Sequence, residues 1–368
     1  MSNYFNPVKI IKTENWLLEV ISNVEKFKIF APIIVTSPGN RKRLNLDSKF
    51  DSNSIFSNVD SNPTFENCIN AVKFCQNNTF DGVIALGGGS VMDLAKVVMA
   101  HLCLEESDIY ELIEYKGKFP QTIPSIFLPT THGTASEVTM WGTIWNMKEK
   151  KKYSISHPDL YPKIAILDGN LTLSLPMDIS ITTVMDALSH SFESIWNKNA
   201  NHTSTDFAIS AICSILDNGE ALKENPTSLD IRKTLLHAST VAGLAFSNTT
   251  TAAAHSISYP LTIHYGIPHG VASSISLLPL LEINGEFIKE PLDRICNKNE
   301  LTFDELKQTI KAIPQGIIPY TLNEWGIPEN QLPKLATESF TKGRMDNNIV
   351  DLTTDDVLGI LNELYSEK

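Results

Sequence analysis

The sequence predicts a chain in two parts, an α/β half built on a parallel sheet and then an all-helical half. Three observations carry this. Short apolar runs of strand length alternate with helical periods as far as Pro176. Beyond Pro176, Ala-, Ser- and Leu-rich segments keep a helical period and strand signals become few. A glycine triplet, Gly87-Gly88-Gly89, joins a buried apolar run to an amphipathic one, the form of a strand–turn–helix unit.

Taken in order, residues 31–40 (APIIVTSPGN) read as a strand ended by a turn, and residues 64–78 as a helix. Residues 82–90 (GVIALGGGS) read as a strand running into the glycine loop, with a helix over 90–102. Residues 124–137 (PSIFLPTTHGTASE) are a buried strand with a polar loop, and 163–176 a further strand with a Leu- and Pro-rich turn. This order implies βαβ units, hence a parallel sheet. Helical patterns then cover 180–196, 203–223, 230–257 and 270–283. The boundary is placed within 174–180, giving expected domains of 1–176 and 177–368.

With 42% hydrophobic residues the chain can bury substantial cores. A net charge of -12 leaves no basic field to hold nucleic acid or an anionic membrane. The run Lys148-Glu149-Lys150-Lys151-Lys152 is too short to alter that and reads as a loop or site feature. Five cysteines, widely spread and without a CxxC, read as reduced thiols rather than a disulfide framework. The N-terminal stretch lacks the apolar core of a signal peptide, and no eighteen consecutive residues are apolar. The expectation is a soluble cytoplasmic protein.

Asp186 and His190 lie four apart in MDALSHSFES, a segment free of Pro and Gly. That spacing sets a carboxylate and an imidazole one turn apart on one helix face. His255 follows in TAAAHSISYP and His269 in YGIPHG, where Gly266 and Pro268 interrupt any helix just before it. Each alone reads equally well as a core or surface residue. Together, three imidazoles and a carboxylate suit a borderline divalent ion such as Fe(II), Zn or Mn better than Ca or Mg. The loop Gly87-Gly88-Gly89-Ser90 is not GxGxxG, but its glycines admit close approach of a pyrophosphate to the amides of the following helix.

GGGSVMDLAK, PTTHGTASEV, MDALSHSFES, GLAFSNTTTAAAHS and IPHG, met in that order, resemble the successive signatures of the iron-containing (group III) alcohol dehydrogenase family. The resemblance spans residues 82–270 and implies the dehydroquinate synthase-like fold. In that fold a dinucleotide-binding α/β domain precedes an all-helical metal-binding domain, with the active site in the cleft between. It implies Asp186, His190, His255 and His269 as metal ligands, with Fe(II) expected and Zn possible. It also implies Gly87, Gly88, Gly89 and Ser90 as the pyrophosphate loop with Asp93 in support, and Thr130, Thr131 and Thr134 against the nicotinamide and its ribose. Lys152 resembles a family lysine facing the cofactor ribose and reads equally as a solvated charge. A homodimer is the family's common state.

Two positions depart from the family pattern. Many relatives carry a histidine four residues after the third ligand, and here that position is Tyr259. Tyr259 and His264 are therefore the two candidates for proton transfer. NAD-using relatives often hold an acid after the first long strand, where this chain has Ser37 followed by Arg41, Lys42 and Arg43. Losing a carboxylate and gaining cations favours NADP(H) over NAD(H).

The expected reaction is hydride transfer from NAD(P)H to an aldehyde, with the ion as Lewis acid. Within the family, residues 140–146, 150–162, 193–201 and 343–348 most resemble phosphonoacetaldehyde reductases, which form 2-hydroxyethylphosphonate. A dianionic substrate would be held by Arg344, Lys152, His132 and Asn197, with Trp141 and Trp145 excluding water. The alternative is a generic short-chain alcohol or aldehyde dehydrogenase. A dehydroquinate synthase-like lyase would need more charged side chains around the ion than the sequence offers. A non-catalytic metal- or nucleotide-binding protein would need no open coordination position.

Overall fold

The structure, a computed structural model, describes residues 4–366. These residues form two compact units. An α/β unit comprises Asn6–Thr131 and Ala135–Thr172, and a helical unit comprises the chain from Leu173 together with Tyr4, Phe5 and His132–Thr134.

The α/β unit runs β1 (Lys9–Lys12), α1 (Trp16–Phe27), β2 (Pro32–Thr36), α2 (Pro38–Arg43), β3 (Ile55–Phe56), α3 (Phe65–Gln76), β4 (Gly82–Gly87), α4 (Gly89–Leu104), α5 (Ile109–Glu114), β5 (Ser125–Pro129), β6 (Trp141–Asn146), β7 (Lys151–Ser156) and β8 (Ile164–Leu167). Six strands make one parallel sheet in the order β1-β8-β5-β4-β2-β3. Alternate side chains feed two cores, as the period of two requires. Ile33, Val35, Val83, Ala85 and Phe127 pack with α3, α4 and α5. Ile34, Ile84, Leu86, Ile126 and Leu128 pack with α1 on the other face.

Three local features differ from the sequence reading. After β2 the chain forms the short helix α2 rather than a turn, because Ser37 caps it by accepting from the Asn40 amide and Pro38 fits the first turn. The lysine run is the tip and return strand of an antiparallel hairpin, β6–β7, in which Trp145 pairs with Lys152. Strand β1 is a four-residue edge strand with a lysine at each end, a signal too short to read in advance.

The helical unit contains α6 (Met177–Ile195), α7 (His202–Gly219), α8 (Ala221–Glu224), α9 (Leu229–Thr249), α10 (Ala253–Tyr265), α11 (His269–Ser274), α12 (Leu277–Asn284), α13 (Lys289–Lys298), α14 (Phe303–Ala312), α15 (Leu332–Glu338) and α16 (Thr354–Glu363). One continuous core joins them. The pattern expected over 230–257 is broken into α9 and α10 by Thr250, whose φ is +63°. The stretch His269–Lys298 is long and apolar enough by composition to match a membrane span. It is divided among α11, α12 and α13, and 67% of its most apolar window is buried inside the unit. Arg232 on α9 is fully buried and donates to Ser180 Oγ at 2.8 Å and to the carbonyls of Pro226 and Leu175.

A buried lysine ties the α/β unit together. Lys96 on α4 is inaccessible, and its Nζ lies 2.9 Å from Ser136 O, 2.7 Å from Ser136 Oγ, 2.9 Å from Thr139 Oγ1 and 2.6 Å from Trp141 O. Burial pushes its pKa down to about 8, against the attraction of Asp93 and Glu137. Substituting Lys96→Met leaves these acceptors without their donor. The unfolding free energy should fall by about 3–5 kcal/mol, seen as a lower denaturant midpoint at unchanged slope.

Candidate metal centre and nucleotide loop

Helix α6 carries two buried carboxylates and a buried imidazole on one face. Asp186, His190 and Glu193 stand at positions i, i+4 and i+7, so they project from the same side. Packing then adds two more imidazoles. Thr250 ends α9, and α10 starts with His255 in its first turn. Gly266, with φ +67°, ends α10, and His269 is the first residue of α11. Helix α11 can reach α6 because Gly270 carries no side chain, since a Cβ there would lie 2.2 Å from the Thr182 carbonyl oxygen.

These constraints gather one ligand atom each from Asp186, His255 and His269 within 4.8 Å of one another. Asp186 Oδ1 is 3.7 Å from His255 Nε2 and 3.9 Å from His269 Nε2. Ligands about 2.1 Å from a tetrahedral ion stand about 3.4 Å apart, so small adjustments would close the set. His190 lies beside that set rather than in it. Its ring stacks on His255 at 4.5 Å and on Phe246 at 4.1 Å, and its buried Nδ1 has no hydrogen-bond partner. His255 Nε2 is likewise buried and without a hydrogen-bond partner. Buried ring nitrogens of this kind, converging on a carboxylate, fit a divalent ion.

The electrostatics agree with that chemistry. Burial alone would raise the Asp186 carboxyl, but His190, His269 and His255 outweigh it and hold it well below the usual carboxylate range. Ser273 Oγ also donates to Asp186 Oδ1, at 2.8 Å. Burial pushes His190 down to about 4, against the attraction of Asp186. His255 moves the opposite way. Burial disfavours its charge, yet Glu193 and Asp186 raise it to about 10. An ion entering this site must therefore displace a proton from His255. Glu193, Ser273 and Phe246 were not anticipated, although Glu193 continues the helical spacing of Asp186 and His190.

The α/β unit supplies a second feature. Strand β2 is followed on one side by β3 and bordered on the other by β4, so the chain reverses its direction across the sheet between β2 and β4. Ligands of open α/β sheets bind at such a point, outside the C-terminal strand ends. Here those ends carry Ser37 and α2 after β2, and Gly87–Ser90 after β4. Gly88 is the N-cap of α4, and a Cβ on Gly87 would sit 2.5 Å from Val91. Thr131 packs against Gly88, and Thr130 donates its N–H to Gly87 O at 3.0 Å. Asp93, half-buried on α4 just past its first turn, accepts from Ser136 Oγ at 2.7 Å and from Thr143 N at 2.9 Å. Asn40, absent from the sequence reading, lies 3.4 Å from both Leu86 O and Thr130 Oγ1 and holds the strand ends together.

Several expected residues have other occupations. Ser37 Oγ caps α2, and Ser90 Oγ accepts from Asn62 N. Arg41 is paired with Asp47, while Arg43 donates to Leu171 O and Asn40 Oδ1, so neither is a bare surface cation. Asn197 is buried, its amide donating to Thr250 O and accepting from Asn199 N. His264 is exposed and paired with Glu338 rather than placed among the buried imidazoles. Tyr259 lies half-buried one helical turn after His255. Trp145 is buried, with Lys152 Nζ 5.9 Å above its ring. Arg344 is half-buried and donates from Nη1 to Gly343 O at 2.7 Å. Thr134 and His132 belong to the helical unit. There His132 is fully buried with both ring nitrogens unpartnered, and burial followed by the charge of Arg232 pushes it down to about 3.

A family model described as iron-containing alcohol dehydrogenase matches residues 7–169. A second, the C-terminal part of the Fe-containing alcohol dehydrogenase family, matches residues 180–365. Long-chain-alcohol dehydrogenase 1 of Geobacillus thermodenitrificans is 30% identical, over 79% of this chain and 76% of its own length. The 4-hydroxybutyrate dehydrogenase of Clostridium kluyveri is 28% identical over 82% of this chain and 84% of its own. Sulfoacetaldehyde reductase from Bifidobacterium kashiwanohense, solved in complex with NAD+, superposes with a TM-score of 0.87 at 27% identity, covering 100% of both chains. A 1,3-propanediol oxidoreductase superposes with a TM-score of 0.88 at 26% identity over 99% of this chain and 100% of its own. The chain belongs to the iron-containing alcohol dehydrogenase family and is an oxidoreductase.

Two tests follow from this geometry. Gly270→Ala should cost about 1–3 kcal/mol of stability and weaken Zn2+ binding measured against a chromophoric chelator, because α11 must move off α6. In the ion-free protein, His132 and His190 bind fewer protons folded than unfolded between their lowered pKa values and the ordinary 6.5. Their contribution is complete above pH 6.5 and is lost as pH falls toward 4. A thermal-unfolding series should show this decline, with a shallower slope in His132→Gln.

Proposed function

We propose that this member of the iron-containing alcohol dehydrogenase family reduces a small aldehyde bearing an anionic end, phosphonoacetaldehyde being the substrate that fits best, with NADPH as reductant. The observation that carries the redox reading is the convergence of Asp186, His255 and His269, with His190 beside them, around unpartnered buried ring nitrogens. A divalent ion held there would polarise a carbonyl oxygen, and a reduced nicotinamide would supply the hydride.

The chain's own residues take the remaining roles. Gly87, Gly88, Gly89 and Ser90 are assigned to the cofactor pyrophosphate, next to the first-turn amides of α4. Asp93, Thr130, Thr131, Thr134 and Lys152 are assigned to its ribose and nicotinamide. Asp93 orders this region through Ser136 and Thr143. Of the two proton carriers, Tyr259 is preferred, since it lies one turn after His255 while His264 is committed to Glu338. For the 2′-phosphate of NADP(H), Ser37 leaves the end of β2 without a carboxylate, and exposed Lys42 is the cation best placed in sequence.

The anionic end is assigned to Arg344. A guanidinium carries five N–H donors, and one of them goes to the carbonyl of the preceding residue. Support for a charged aldehyde comes from the similarity to sulfoacetaldehyde reductase, whose substrate pairs an aldehyde with an anion. The second reading, an uncharged short-chain substrate, is favoured by the similarity to 1,3-propanediol dehydrogenase of Citrobacter freundii, 29% identical over 80% of this chain.

Rates on phosphonoacetaldehyde and on an uncharged aldehyde of similar size distinguish the two. The proposal expects a strong preference for the phosphonate, and a loss of about 10–100-fold in kcat/KM for it alone in Arg344→Ala. Equal rates would return the chain to the uncharged class. For the cofactor, Ser37→Asp should shift the NADPH-to-NADH ratio of kcat/KM toward NADH by at least about tenfold. An unchanged ratio would remove Ser37 from the nucleotide site.

A further inference from the structure

We infer that Glu193 is the positioning residue of the metal centre, fixing which nitrogen of His255 faces the ion. The inference rests on the metal-centre reading given above and goes beyond it in naming a residue that is not a ligand.

Glu193 is wholly inaccessible, in the last two turns of α6. Its two oxygens have separate duties. Oε1 accepts from the backbone N–H of Ala252 at 3.0 Å and from that of His255 at 3.0 Å, two amides at the buried start of α10 that no helical carbonyl can satisfy. Oε2 accepts from His255 Nδ1 in a short contact. One carboxylate therefore holds both the backbone and the ring of the same histidine.

The chemical consequence follows from donor and acceptor rules. An ionised carboxylate accepts hydrogen bonds and cannot donate one, so the nitrogen facing Glu193 must carry a proton. Nδ1 is then the nitrogen that keeps its proton when an ion binds, and Nε2 is the one that gives up its proton and offers a lone pair. Nε2 is the nitrogen that is buried without a hydrogen-bond partner, 3.7 Å from Asp186 Oδ1. The carboxylate also increases the basicity of the imidazole it holds, strengthening it as a ligand.

Glu193→Gln isolates this role, because the shape and the Oε1 acceptor can remain. With Oε1 still capping α10, the new NH2 faces Nδ1, which must become the acceptor. The ring proton then moves to Nε2, where it points at Asp186 and blocks the ion. Turning the amide over would restore Nδ1–H but set the NH2 against two backbone N–H donors. Neither arrangement keeps all three hydrogen bonds.

The test uses full-length protein stripped of metal by chelation and titrated with Zn2+ against a chromophoric chelator. Glu193→Gln should bind Zn2+ about 10–100-fold more weakly than wild type, with its circular dichroism and NADPH affinity retained. Equal Zn2+ affinity in the two proteins would overturn the inference. Wild type that binds no Zn2+ would instead remove the metal-centre reading beneath it. A measurement on wild type alone guards against misfolding of the variant. In 15N-histidine-labelled, Zn2+-loaded protein, His255 should show a protonated Nδ1 and an unprotonated Nε2, and the opposite tautomer would overturn the inference by itself.

Discussion

Two carboxylates buried within one helix face set the terms for the helical unit. A buried ionised group costs several kcal/mol unless partners replace its lost hydration. Asp186 and Glu193 meet that demand in different ways. Glu193 is satisfied inside the protein by two backbone amides and an imidazole N–H. Asp186 receives one hydroxyl hydrogen bond, from Ser273, and otherwise faces imidazole nitrogens beyond hydrogen-bonding distance. That incomplete satisfaction is what a bound divalent cation would complete.

The surrounding backbone follows from that requirement. Helix α9 must stop at Thr250 so that α10 can begin with free amides directed at Glu193 and with His255 in its first turn. Helix α10 must stop at Gly266 so that α11 can begin with His269. Gly270 must lack a side chain so that α11 lies against the Thr182 carbonyl. In the α/β unit an analogous role falls to Lys96, whose buried ammonium gathers the loop between β5 and β6 around Asp93.

Much of this was legible in the sequence, for reasons particular to each element. Strands β2, β4, β5 and β8 are buried on both faces, so they read as unbroken apolar runs. Helices α3, α4 and α6 carry plain apolar periods. The glycine loop and the four-residue spacing of Asp186 and His190 are local in sequence and survive without coordinates, whereas His255 and His269 joined them through the family resemblance. What escaped depends on distant partners. Strand β7 is a lysine-rich segment whose character comes from pairing with β6 across the hairpin. The break between α9 and α10 lies within a continuous helical pattern, and the amides it frees at Ala252 and His255 are met by Glu193, about sixty residues earlier in the chain. Arg41, Arg43 and Asn197 carry suggestive chemistry in sequence, yet pairing and backbone contacts account for the atoms that made them attractive.

The central claim is that Asp186, His190, His255 and His269 surround one divalent ion. Anomalous difference scattering, recorded at the iron and zinc edges from crystals of the protein grown with each metal, addresses it directly. The account predicts one strong peak within about 2–2.3 Å of Asp186 and of the nearby imidazole nitrogens, including His255 Nε2. A peak elsewhere, or none among these residues in metal-replete crystals, would contradict it.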